Sequence, residues 1–65
     1  MSTLTPRERE IVALVAEGLT NREIAARVGC TSRTVAKHLE NVYTKVGKHS
    51  RTELAVEAVR SGAVA

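Results

Sequence analysis

Four groups of apolar residues, each at helical spacing, divide this 65-residue chain. Ile11, Val12, Leu14, Val15 and Ala16 form a broad arc, with Arg9, Glu10, Ala13 and Glu17 facing outward. Ile24, Ala25 and Val28 repeat one helical face in a shorter segment. Val35, Leu39, Val42 and Val46 recur at spacings of four, three and four, which gives one narrow buried stripe. Leu54, Ala55, Ala58 and Val59 form the inward arc of the last segment, leaving Val56 outside it between Thr52 and Arg60.

Start and stop signals bound each group. Thr5-Pro6-Arg7-Glu8 supplies an N-cap, a preset backbone angle at the first helical position and a capping box. Thr20 with Glu23 and Ser50 with Glu53 repeat the box, and Thr31 caps the third group. Gly18, Gly29, Gly47 and the pair Ser61-Gly62 close the four segments. The pattern predicts helices over 6–17, 21–28, 32–46 and 51–60, an all-α chain. Leu4 is expected to fold back onto the first helix, Leu19 to fold in behind Gly18, and Ala63 to Ala65 to fray.

Residues 21–40 carry the organising motif: two short helices broken at Gly29 by a tight turn. Small Ala25 lets the helices approach, while Val28, Cys30 and Val35 fill the angle between them. This is a helix-turn-helix, whose second helix typically lies in the DNA major groove. Here the second helix is 32–46.

Charge sharpens the picture. The formal net charge is +3. Between Asn21 and Arg51 seven cations less two carboxylates give +5, and three cations less five carboxylates elsewhere give −2. The basic charge is concentrated where the second helix of the motif lies, which implies a polyanionic partner; the plain alternative is a solvated basic face. On that helix, at about 100° per residue, Lys37 lies opposite the apolar stripe. Arg33 and Thr44 stand beside it, with Thr34 and Asn41 on one flank. Lys donates to guanine O6 and N7, and Thr and Asn serve phosphates or base edges. Arg33, Thr34, Lys37 and Asn41 are the candidate base readers. Glu40 interrupts this face, either accepting from a cytosine amino group or remaining in solvent at the groove's edge.

Thr20, Asn21 and Arg22 open the short second helix, whose N-terminal amides can meet a phosphate. Equally, they serve as its cap and solvated first turn. His38, at the margin of the stripe, reads first as a packed residue at the core's edge and second as a phosphate contact. Tyr43 covers the core from the other margin. Val56 is either an ordinary exposed side chain or, with Thr52 and Arg60 beside it, a dimer contact.

The runs L-T-P-R-E-R-E, G-L-T-N-R-E-I-A, T-V-A-K-H-L-E-N-V-Y-T-K-V-G and S-R-T-E-L-A occur in that order. Through them the chain resembles the LuxR/FixJ-type DNA-binding domain, the C-terminal helix-turn-helix module of NarL- and GerE-like regulators. The match runs from Leu4 to about Gly62. The resemblance implies a single four-helix domain over 1–65, sequence-specific binding to double-stranded DNA as a homodimer, and pairing through the helix over 51–60. It places groove reading on Thr34, Lys37 and neighbours. Phosphate contacts fall near Thr20, Asn21, Arg33, His38 and Lys45. One departure stands out: many members have Lys where this chain has Ala36, so another member's operator is not expected to transfer. Members usually carry a receiver or ligand-binding domain upstream. The chain has no Asp, hence no receiver-type phosphoacceptor. It corresponds to the effector domain of a response regulator of a two-component system, or to a free-standing regulator.

Other function classes fit less well. A protein-interaction adaptor, or a sigma-factor-like domain contacting RNA polymerase, is the second reading. Two histidines, no Asp, one Cys and no glycine-rich phosphate loop leave no catalytic constellation, so no enzyme is expected. No Cys/His cluster has zinc spacing, and no cofactor or small-molecule ligand is expected. No apolar run approaches the ~18 residues of a membrane span and no signal peptide is evident, so no membrane association and a cytoplasmic location are expected. Cys30 is read as filling a small turn position.

Overall fold

The computed structural model describes residues 3–60 and Gly62. Four helices follow one another: α1 (Pro6–Ala16), α2 (Asn21–Val28), α3 (Ser32–Val46) and α4 (Arg51–Arg60). No strand occurs among the described residues. Ala63 to Ala65, expected to fray, lie outside them.

The starts are local hydrogen-bond devices. The Thr5 hydroxyl accepts from the Glu8 amide at 3.1 Å while the Glu8 carboxylate accepts from the Thr5 amide at 2.9 Å. Thr20 and Glu23 repeat this at 3.2 and 2.8 Å. At α4 the device is altered: Ser50 Oγ accepts from the Glu53 amide, but the Glu53 carboxylate takes the His49 amide rather than that of Ser50. Helix α1 stops at Ala16, one residue short of the expected Glu17, which is its C-cap. Gly18, at φ 89°, turns the chain so that its amide reaches Val15 O and that of Leu19 reaches Leu14 O. Such a left-handed residue suits glycine because no Cβ meets the carbonyl.

Helix α1 packs against all three other helices, most extensively α4, and α2 packs on α3. The shared core is Leu4, Ile11, Val12, Leu14, Val15, Ile24, Ala25, Val35, Leu39, Val42, Leu54 and Ala58. Val28, Cys30 and Tyr43 close its edges, and Val46, at the open end of α3, is only partly covered. One expectation fails: Val59, read as inward-facing, is 65% exposed. Leu54 and Ala58 occupy the centre of the buried arc. Val59 lies about 100° beyond Ala58, past the edge of what α1 covers.

Candidate nucleic-acid interface

Burying Val35, Leu39 and Val42 leaves the opposite side of α3 in solvent. Arg33, Thr34, Lys37, Glu40, Asn41 and Thr44 are all exposed there. Among the described residues Arg33 and Lys37 make no ion pair, since the salt bridges join Arg7 to Glu10, Lys45 to Glu8 and Lys48 to Glu57. The exposed side of α3 thus presents two cations that no carboxylate engages. The hydroxyls beside them are more constrained. Thr31 and Thr34 place their Oγ1 atoms 3.1 Å apart, and Thr31 Oγ1 also accepts the Thr34 amide. Thr44 donates to the Glu40 carbonyl at 3.1 Å, leaving only lone pairs to offer outward.

The turn before α3 is fixed by geometry. Gly29, at φ 79°, ends α2 in the left-handed region, and the amides of Gly29 and Cys30 both reach Ala25 O. From α1, Arg7 donates to the Val28 carbonyl at 3.1 Å, tying the first helix to the turn. Cys30 is half-buried, its thiol 3.5 Å from the Thr31 carbonyl oxygen.

The start of α2 brings Thr20, Asn21 and Arg22 together. Thr20 and Arg22 are exposed and Asn21 is half-buried. The first amides of a helix have no partner within it, so those of Asn21 and Arg22 are available to an acceptor. The Glu23 carboxylate stands at the same end, its pKa lowered chiefly by the Thr20 amide. Behind it Arg51, the first residue of α4, donates to Asn21 Oδ1 at 2.6 Å and to the Leu19 carbonyl at 2.7 Å.

His38 is half-buried on α3. Lys45 is engaged: its ammonium donates at 2.8 Å to Glu8, whose side chain is 4% exposed against 35% for Lys45. That hydrogen bond, with the Thr5 amide, holds the Glu8 carboxyl below the ordinary 4.5. The contacts of Lys45 and Arg51 span 37 and 30 residues, and local pattern reading misses both. On α4 Thr52, Val56 and Arg60 are exposed. Ala16, Ala55, Val56, Val59 and Arg60 line a shallow, mostly apolar depression between α1 and α4. Among the described residues no three His, Cys, Asp or Glu side chains are placed to hold a metal, and no helix is long and apolar enough to cross a membrane.

The sequence profile of bacterial regulatory proteins, luxR family, matches residues 2–58. The chain belongs to this family. It is 52% identical over 60 residues to an HTH-type transcriptional regulator of Mycobacterium tuberculosis, covering 92% of this chain and 7% of that protein. It is 45% identical over 58 residues to the response regulator Rre1 of Synechocystis, covering 89% and 25%. Over 56 residues it is 45% identical to the nitrate/nitrite response regulator NarL of Escherichia coli, covering 86% and 26%. The chain thus spans about a quarter or less of these relatives' length. Among solved structures it superposes on the transcription factor GerE with a TM-score of 0.84 at 31% identity, covering 95% of this chain and 92% of that one. The response regulator ChrA gives 0.87 at 34% identity, covering 95% and 31%. The luxR family consists of bacterial regulatory proteins, and this helix-turn-helix domain binds DNA in the regulation of transcription.

Proposed function

We propose that this luxR-family domain binds double-stranded DNA sequence-specifically, with α3 in the major groove and two copies on adjacent half-sites. The observation that carries the reading is the ridge opposite the buried stripe, where Arg33 and Lys37 are exposed and unengaged by carboxylates. Arg33, Thr34, Lys37 and Asn41 read base edges. Thr20, Asn21, Arg22 and His38 meet the backbone, as does Lys45 through the two ammonium hydrogens that Glu8 leaves free. Thr52, Val56 and Arg60, joined by Val59, form the pairing face. The whole protein acts as a bacterial transcriptional regulator of the response-regulator type in the cytoplasm.

Dimensions support the half-site arrangement. The domain measures 26 × 22 × 20 Å over its Cα atoms. Two copies centred one helical turn apart, about 34 Å, leave a gap that two layers of side chains fill.

The test begins by selecting bound sequences from a random duplex pool. Affinity for the selected duplex should fall steeply with added salt, as released counterions require. Lys37→Ala should weaken specific binding by about 1–3 kcal/mol and relax preference at one base pair. Unaltered affinity and selectivity in that variant would remove Lys37 from the reading face. No duplex binding at low salt would favour a protein-contacting role instead.

A further inference from the structure

Arg51 lies on the helix that the reading above assigns to pairing, yet its guanidinium reaches back to the start of α2. It is half-buried, with one nitrogen 2.6 Å from Asn21 Oδ1 and another 2.7 Å from the Leu19 carbonyl oxygen. Both acceptors belong to the segment that leads from α1 into α2. A carboxamide has one accepting and one donating end. With the accepting end of Asn21 committed to Arg51, its NH2 group is the end left for solvent, beside the first amides of α2. No described residue takes that NH2 group.

We propose that Arg51 is a positioning residue for DNA binding: it orients Asn21 as a pure donor to a backbone phosphate and presets the segment entering α2. The proposal rests on the reading that this end of α2 meets the backbone. The guanidinium fork is what the role requires. A cation on the first turn of a helix sits against the helix dipole, and this one is held by two oxygens on a different segment. Lysine keeps the charge but lacks the planar fork that holds two acceptors at once.

The experiment measures affinity for the selected duplex, at one salt concentration, of the unaltered chain, Asn21→Ala, Arg51→Lys and the double variant. A thermal melt of each confirms that it is folded at the assay temperature. Each single change should weaken binding about tenfold, the size of one hydrogen bond to a charged group, and the double variant should be no weaker than either. Asn21→Asp serves where a variant fails to fold. It keeps an acceptor facing Arg51, and so its melting temperature, but turns an anionic oxygen toward the phosphate; its affinity should fall at least as far. Wild-type affinity in Arg51→Lys, losses that multiply in the double variant, or full affinity in Asn21→Asp would each overturn the assignment while leaving DNA binding intact. An unaltered chain that binds no duplex overturns the DNA reading and the assignment with it.

Discussion

Glu8 is the residue that joins the start of α1 to the last turn of α3. Its carboxylate takes the Thr5 amide at 2.9 Å and the Lys45 ammonium at 2.8 Å, and its amide goes back to the Thr5 hydroxyl. A buried carboxylate is tolerated only with such partners. Because the Lys45 hydrogen bond and the Thr5 amide lower its folded pKa below the ordinary 4.5, the unfolded chain binds the proton more tightly. The stabilisation is therefore fully present above that ordinary value and is lost as pH falls through the folded one. Glu8→Gln should lower stability at neutral pH by about 1–2 kcal/mol and reduce the loss of stability in acid. Glu23, held down first by the Thr20 amide, contributes in the same direction. Thermal melts from neutral pH down past the carboxylate range check this, and curves that stay parallel for the two proteins would contradict it. The capping half of Glu8 was legible because the partners are three residues apart. Its Lys45 half was not, since nothing in a local pattern joins residues 37 apart. For Arg51 one signal was available: a cation at the first turn of a helix opposes the dipole.

At the scale of elements, α3 has to satisfy two demands, a dry stripe and a wet ridge. Val35, Leu39 and Val42 are 0%, 3% and 0% exposed, which fixes the helix's rotation and so which side chains point outward. Leu39→Ala should cost about 2–5 kcal/mol through lost transfer energy and an incompletely collapsed cavity. Chemical denaturation monitored by circular dichroism measures this, and a wild-type midpoint would mean that the stripe does not hold α3 in place. The four elements were legible because capping residues, glycines and apolar spacing agree at every boundary. The width of a buried arc was not. Val59 shares the apolar character of Leu54 and Ala58, and only the extent of α1 decides that it stays exposed. That error has functional weight, because it enlarges the apolar surface beside Val56.

For the molecule as a whole, the two ends of the charge distribution face different tasks. The stretch from Asn21 to Arg51 carries +5, whereas the rest, including most of α1 and α4, carries −2. The charge that attracts DNA is thereby concentrated in α2, α3 and the turns beside them, and the exposed Val56 and Val59 lie outside the basic stretch at 51% and 65% exposure. A pairing surface built on one ten-residue helix falls below the ~1,200 Å² of a stable interface. Such a pair should not persist in dilute solution and should form when two half-sites hold the copies side by side, where the effective concentration is high. Val56→Asp separates pairing from reading. An exposed position tolerates the change within about 0.5 kcal/mol of stability, so the melting temperature and the affinity for a single half-site should be unaltered. On a duplex with two half-sites, the steep isotherm of the unaltered chain should become two independent binding steps, because an unpaired carboxylate would be desolvated at the contact. If the variant fills both half-sites as cooperatively as the unaltered chain, the copies do not meet through α4.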